Sequence, residues 1–133
     1  MKISFAPYIH NICLPLIISS SKPNLCFLID TGSTLDIIFS YVYEELLHVF
    51  SKIPMKSSMI MGIDGDRKIT SQIEANLMFE DKRVSELFSV LDANKAIMQI
   101  EKESGIQIHG ILGIPFLTQN KWILDFSDLT LQC

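Results

Sequence analysis

The sequence has few cysteines, no block of basic residues and no long apolar run. Its three cysteines, Cys13, Cys26 and Cys133, lie far apart and form no Cys-x-x-Cys motif, so we expect neither a structural zinc site nor a disulfide framework. There are 11 lysines and arginines against 15 acidic residues, which argues against a nucleic-acid partner because such partners require a basic surface. No apolar run reaches the roughly 18–20 residues of a membrane span, so we expect no membrane partner.

The chain is apolar for its size. It has 133 residues, of which 48% are hydrophobic and 20% are charged, and this balance supplies a buried core and excludes intrinsic disorder. We expect residues 1–133 to form one domain. The mean hydropathy of +0.31 is high for a small domain without a membrane span, and surplus apolar surface of this kind indicates a subunit interface.

Hydrophobic patterning predicts a mostly β fold with two short helices. Helical spacing covers residues 41–50 after Ser40 as N-cap, and residues 94–104 before Gly105, which suits a helix end. Residues 114–119 suit a short helical turn. Strand patterns cover residues 12–19, 25–29, 84–91, 106–112, 122–126 and 129–131, and two extended arms lie within residues 59–79.

The start of the chain is apolar but interrupted. The first 19 residues contain one lysine, and His10, Asn11 and Pro15 break the apolar stretch. A first pair of strands is therefore favoured over a signal peptide. The cellular compartment stays open, with the cytoplasm slightly favoured.

An acidic residue stands at the end of a strongly apolar strand pattern. The apolar run 27–29 leads into Asp30, and the small residues Thr31-Gly32-Ser33 follow as a loop. Burial of a lone carboxylate is unfavourable unless donors or a partner charge answer it, and this loop can supply N–H groups and hydroxyls. The same pattern also fits a turn aspartate that caps its own loop in water. The local residues leave both interpretations open.

The segment Leu28-Ile29-Asp30-Thr31-Gly32-Ser33 resembles the active-site motif of the aspartic proteases. Two further segments agree with that family in kind and in order. Met61-Gly62-Ile63-Asp64-Gly65 lies where the family places its flap hairpin, and Gly110-Ile111-Leu112-Gly113, followed by Phe116-Leu117, resembles the second signature of the family. The chain carries a single Asp-Thr-Gly, as in the retropepsin branch, whereas pepsin-like enzymes carry two on a chain more than twice as long.

The resemblance implies a retropepsin-like closed barrel, the acid protease fold, with two short helices and a flap hairpin. It implies an aspartic endopeptidase that cleaves peptide or protein substrates and needs neither a metal nor a cofactor. The implied partner is a second copy of the chain, because a homodimer brings two aspartates together. The implied catalytic residues are Asp30 as acid or base, Thr31 as a brace to the other subunit's loop, and Gly32 as an N–H donor.

The substrate-binding residues implied by the resemblance come from three segments. Ser33 would place its hydroxyl as a donor to Asp30, and an added donor stabilises the ionised carboxylate, which predicts an acidic activity optimum. The flap would supply Gly62, Ile63, Asp64 and Gly65, and the second signature would supply Ile111, Leu112 and Gly113.

Three features depart from the retroviral enzymes. The chain is longer, a predicted helix occupies residues 94–104, and Ile114-Pro115 follows the last glycine of the second signature, where viral enzymes often have polar residues. These departures put the retroviral terminal-strand dimer contacts in question. They favour a likeness to cellular or bacterial single-domain relatives.

Other candidate residues and functions have weaker support. Three histidines are isolated from one another and give no metal-ligand spacing: His10, His48 and His109. Three further aspartates suit turn or cap roles, with support of the catalytic residues as the alternative: Asp36, Asp92 and Asp125. The alternative function is a non-catalytic dimerisation or peptide-binding module that keeps the fold, or a domain of a longer polyprotein. The intact Asp-Thr-Gly favours the enzyme.

Overall fold

The computed structural model describes residues 1–46, 51–53, 69–93 and 95–133. Strands predominate in this part of the chain, which confirms the mostly β prediction. The helices are α1 (Ala6–Ile12), α2 (Ser40–Glu45), α3 (Lys95–Ser104) and α4 (Ile114–Gln119). The strands are β1 (Lys2–Ser4), β2 (Leu16–Ile18), β3 (Cys26–Ile29), β4 (Ile37–Phe39), β5 (Ser51–Ile53), β6 (Ile69–Phe79), β7 (Lys82–Leu91), β8 (Gly110–Leu112), β9 (Ile123–Asp125) and β10 (Thr130–Gln132).

The described strands form two sheets. A three-stranded antiparallel sheet has the order β1-β10-β9. The larger sheet has the order β2-β3-β8-β4-β7-β6-β5, and within it β3 runs parallel to β8 and β4 runs parallel to β7. The parallel pair of β3 and β8 places Ile29 opposite Leu112, so the segments that follow these two strands begin at the same edge of the sheet.

An aromatic cluster joins the larger sheet to α4. Phe27 of β3 packs against Phe88 of β7 with ring centroids 5.9 Å apart. Trp122 meets Phe79 of β6 at 5.3 Å and Phe116 of α4 at 4.9 Å, both edge-on. All five side chains are buried, and edge-on aromatic pairs add to the stability gained from burial. Strand β3 and helix α4 therefore share one core.

The start of the chain contains a helix that the sequence did not predict, ahead of the predicted first pair of strands. Helix α1 follows β1, and only β2 remains of the strand predicted over residues 12–19. Pro7 lies in the first turn of α1, where its missing N–H breaks no helical bond. Cys13 ends the helix in the left-handed conformation, with φ 60°, and its N–H donates to the carbonyl of Ile9. The predicted pair of strands is confirmed, because β2 pairs antiparallel with β3, but the strand predicted to begin at residue 12 begins only at Leu16.

The later helices lie where the sequence predicts them. Gly105 adopts φ 74° directly after α3, the left-handed conformation that ends many helices. Helix α4 covers the residues predicted as a helical turn. No helix among the described residues is both long and apolar enough to cross a membrane.

Helix α2 confirms only part of its prediction. Its N-cap is Phe39, so the capping role predicted for Ser40 is wrong. The Ser40 hydroxyl instead donates to Asp92 Oδ1 at 2.8 Å. The helix ends at Glu45, and residues 47–50 lie outside the described residues.

Candidate active site

Asp30 follows β3 directly, at the point where the strand leaves the core. Its side chain is partly exposed, whereas Ile29 before it is buried. The N–H of Asp30 donates to the carbonyl of Leu112 at 3.0 Å, and the N–H of Gly32 donates to Asp30 Oδ1 at 2.9 Å. The N–H of Ser33 closes the turn on the carbonyl of Asp30 at 3.1 Å. Backbone groups of the loop and of β8 therefore orient a carboxyl group that is open to solvent.

The segment after β8 passes very close to the Asp30 loop, which we define as residues 30–35. A Cβ atom at Gly113 would lie 2.4 Å from the carbonyl oxygen of Leu35 and 2.7 Å from that of Ser33. The N–H of Ile114 donates to the same Ser33 carbonyl at 3.0 Å. Glycine is required at position 113 because any side chain would displace the backbone of the Asp30 loop.

The side chains of Ile111 and Leu112 lie in the core, with 7% and 0% of their surface exposed. Their role in the described chain is to support Asp30, because β8 pairs with β3 and supplies the carbonyl that accepts the Asp30 N–H. Substrate contact at these two residues and at Gly113 stays a prediction.

The hydroxyl of Ser33 differs from its predicted role as a donor to Asp30. Ser33 Oγ donates to the carbonyl of Leu35 at 2.6 Å, and the N–H of Leu35 lies 3.3 Å from the same oxygen. A serine hydroxyl has one hydrogen to donate, so in this structure Ser33 stabilises the turn of the loop. The acidic optimum predicted from a Ser33–Asp30 hydrogen bond loses its physical basis.

Replacing Ser33 by alanine should therefore affect stability more than the acid chemistry. We expect Ser33→Ala to lower the free energy of unfolding by about 1 kcal/mol, the usual contribution of one hydrogen bond. The measurement is urea denaturation, combined with the pH profile of any cleavage activity. A pH optimum that moves in Ser33→Ala would contradict this and restore the predicted donation to Asp30.

Asp36 is a buried carboxyl group in the segment that follows the Asp30 loop. It is 4% exposed, and its Oδ1 accepts the N–H of Gly113 at 2.8 Å and the N–H of Phe116 at 3.2 Å. Burial raises the pKa of Asp36 from 3.8 to about 6, against the lowering effect of the two N–H groups, and the charge of Glu86 raises it further. The predicted cap role is confirmed, but the helix that Asp36 caps is α4, far along the chain.

Glu86 is a second acidic residue on the inward face of the sheet. It is 6% exposed, and it lies on the same face of β7 as the buried residues Val84 and Phe88. Its Oε1 accepts a hydrogen bond from Asn120 Nδ2 at 2.8 Å. Burial raises the pKa of Glu86 above its ordinary value. Sequence analysis missed this residue, although an acid at an inward position of an alternating strand was the available signal.

The predicted roles of Thr31 and of the flap residues stay predictions. Thr31 is exposed on the Asp30 loop, and its predicted contact with a second subunit stays a prediction. The predicted flap residues lie outside the described residues: Gly62, Ile63, Asp64 and Gly65.

The two described histidines, His10 and His109, lie on α1 and beside the start of β3. His109 Nδ1 accepts the N–H of Cys26 at 2.8 Å, and burial lowers the pKa of His109; His10 is exposed on α1. His48 lies outside the described residues. Within the described ranges, no group of three or more His, Cys, Asp or Glu side chains is arranged to bind a metal ion.

No protein-family model and no curated protein matches the chain. Solved structures do resemble it. The crystal structure of the retroviral protease-like domain of Ddi1 from Leishmania major aligns with a TM-score of 0.61 at 16% sequence identity, covering 90% of this chain and 84% of that chain. EIAV protease complexed with the inhibitor HBY-793 aligns with a TM-score of 0.57 at 17% identity, covering 81% of this chain and 88% of that chain. The chain therefore has the retropepsin-like fold that its motifs predict.

Proposed function

We propose that the protein is an aspartic endopeptidase that hydrolyses peptide bonds with a water molecule activated by two copies of Asp30. The observation that carries the proposal is the position of Asp30. Its carboxyl group stands at the open end of a buried strand, oriented by the N–H of Gly32 and seated beside β8, in a retropepsin-like fold. A rigidly held carboxyl group of this kind suits general acid and base catalysis.

The proposed chemistry needs two carboxyl groups that share one proton. At a separation of about 3 Å they cannot both ionise, so one stays neutral. The ionised group takes a proton from water as the water attacks the scissile carbonyl carbon, and the neutral group hydrogen-bonds the oxygen on which negative charge develops. A proton then passes to the leaving amine. Since the chain has one Asp-Thr-Gly, the second carboxyl group would come from another copy across a two-fold axis.

The three-stranded sheet offers a surface for this second copy. Its outer strands, β1 and β9, each have one neighbour in the described chain, and a free strand edge favours pairing with another chain. Lys2 of β1 forms an ion pair with Asp128 at 3.2 Å, and charge on an edge opposes pairing. The charged residue of β9, Asp125, is instead engaged by the turn that follows it, where its Oδ1 accepts two backbone N–H groups. Ile123 of β9 is 61% exposed and Phe126 after it is 59% exposed. We therefore place the subunit contact at β9.

The test is cleavage of a mixed peptide library from about pH 3 to pH 8, with and without a statine-type inhibitor of aspartic proteases. We expect cleavage that the inhibitor abolishes. Because half a dyad is inactive, specific activity should rise with protein concentration, in parallel with the dimer fraction measured by sedimentation. The variant Ile123→Lys keeps Asp30 but charges the proposed contact, so it should need a higher concentration than wild type to reach the same specific activity.

Two outcomes would contradict the proposal. Cleavage by a monomer, with specific activity independent of concentration, would remove the two-copy mechanism. A dimer that binds peptides and the inhibitor without cleaving peptides at any pH tested would favour the non-catalytic binding module instead.

A further inference from the structure

We propose that Asp36 is a positioning residue that fixes the Asp30 loop through α4, and that loss of protons from Asp36 and Glu86 loosens this attachment. The inference rests on the proposed function, because it concerns what holds and regulates the same site. It is carried by a set of buried polar groups that take no part in the proposed cleavage chemistry. We call this set the α4 network, and its side chains are Asp36, Glu86 and Asn120.

The first part of the α4 network joins the start of α4 to the Asp30 loop. Asp36 Oδ1 accepts the N–H groups of Gly113 and Phe116, which are the N-cap and the third residue of the helix. These donors would otherwise be unpaired at a helix start. The neighbouring N–H of Ile114 donates to the carbonyl of Ser33. Asp36 therefore holds α4 where it contacts the loop that carries Asp30.

The second part of the α4 network ties the end of the same helix to β7. Asn120 Nδ2 donates to the carbonyl of Phe116 at 2.9 Å and to Glu86 Oε1 at 2.8 Å. The N–H of Ser89 on the same strand donates to the carbonyl of Asp36 at 2.9 Å. Both ends of α4 are thus attached to buried carboxyl groups. Strand β7, which carries Glu86, is also bonded to the backbone of Asp36 through this Ser89 N–H.

The titratable groups near Asp36 come from the Asp30 loop and from β7. Helix α4 and the strands β4 and β8 carry no titratable side chain. The Asp30 loop contributes Asp30, and β7 contributes Glu86 on its inward face, whose charge acts on Asp36. Lys121 after α4 and Asp92 after β7 are exposed. The buried part of the network therefore combines two acids, and their simultaneous ionisation is unfavourable.

The sign of the pH effect follows from this arrangement. Burial raises the pKa of Asp36 to about 6 and also raises that of Glu86. An acid whose pKa is higher in the folded state stabilises the fold below its unfolded pKa of about 4, and that contribution is lost as the pH rises through about 6. A protonated Asp36 still accepts both N–H groups at Oδ1, with its proton on Oδ2, and it no longer repels Glu86. The attachment should be tightest at acidic pH.

The first experiment compares urea unfolding of wild type and Asp36→Asn at about pH 4 and pH 7. Asparagine keeps an oxygen for both N–H groups and removes the charge. We expect the ratio of the wild-type unfolding constant to that of Asp36→Asn to rise about fiftyfold between the two pH values, because the pKa of Asp36 is raised from 3.8 to about 6 by folding. The ratio of the wild-type unfolding constant to that of Glu86→Gln should also rise between the two pH values. The unfolding constant of the exposed control Asp92→Asn should change with pH as that of wild type does. An unchanged ratio for Asp36→Asn overturns the proton linkage.

The second experiment measures kcat and KM at about pH 5 for Asp36→Ala and Asp36→Asn. Alanine removes the acceptor of both N–H groups, so we expect kcat to fall about a hundredfold, the effect of misplacing a catalytic group by roughly 1 Å. KM should change little, and Asp36→Asn should restore kcat. A wild-type kcat in folded Asp36→Ala overturns the positioning role. If Asp36→Ala does not fold, the pH comparison of Asp36→Asn and Glu86→Gln decides.

Hydrogen exchange separates this proposal from the proposed function. At a single pH, the amides of residues 110–117 should exchange faster in Asp36→Ala than in wild type, and Asp92→Asn should match wild type. If the protein shows this difference but never cleaves peptides, the α4 network is supported and the proposed endopeptidase activity is contradicted. Equal exchange in wild type and Asp36→Ala overturns the network, whether or not the protein cleaves.

Discussion

Asp30→Asn is expected to lower kcat by about 10³-fold or more while leaving the fold intact. The asparagine oxygen can still accept the N–H of Gly32, and the bond from the Asp30 N–H to the carbonyl of Leu112 involves only the backbone. The amide, however, can neither take a proton from water nor share one with a second carboxyl group. Cleavage rates and thermal unfolding are measured on the same preparations. The matched control is Asp81→Asn, an identical change at an exposed turn between β6 and β7.

A mixture of the two chains tests whether one active site contains two copies of Asp30. If a dimer needs both carboxyl groups, equal amounts of wild type and Asp30→Asn should give about a quarter of the activity of wild type at the same total concentration, after subunit exchange. Independent sites would give half. A kcat of Asp30→Asn close to that of Asp81→Asn would remove the enzyme proposal altogether.

The position of the candidate site could be predicted from the sequence because its signals are local. An apolar strand followed by Asp30 and small residues predicts both β3 and the loop at its end, and the structure has them. The resemblance to the second signature places Gly113 near the catalytic loop, and the absence of space for a Cβ at Gly113 supplies the physical reason for a glycine there. Gly105 likewise predicts the end of α3.

The buried acids could not be placed from the sequence because their partners are distant. Asp36 caps a helix whose first residues lie 77 and 80 positions further along the chain. An acid within the apolar run 35–39 is a visible anomaly, but a turn or cap role explains it without any distant partner. To place Glu86, one must know that its face of β7 lies against the core and that Asn120 lies opposite it. Such pairings depend on topology, and local patterns do not specify topology.

Gly110→Ala is expected to lower the free energy of unfolding by about 3 kcal/mol, at the upper end of the range for an overpacked core. A Cβ atom at position 110 would lie 2.3 Å from the carbonyl oxygen of Ile37 and 2.9 Å from Phe27 Cε1. Neither neighbour can retreat easily. Ile37 belongs to β4, which pairs with β8, and Phe27 is fully buried against Phe88.

The control for this prediction is Gly105→Ala, which adds the same methyl group where nothing lies within 4 Å. Its cost comes only from the left-handed φ of 74°, which a residue with a Cβ tolerates at about 1 kcal/mol. Urea denaturation at one pH measures both variants, and equal destabilisation would mean that β8 does not lie against Ile37 and Phe27. Because β8 also supplies the Leu112 carbonyl that accepts the N–H of Asp30, Gly110→Ala should lose activity even in its folded fraction, whereas Gly105→Ala should keep it.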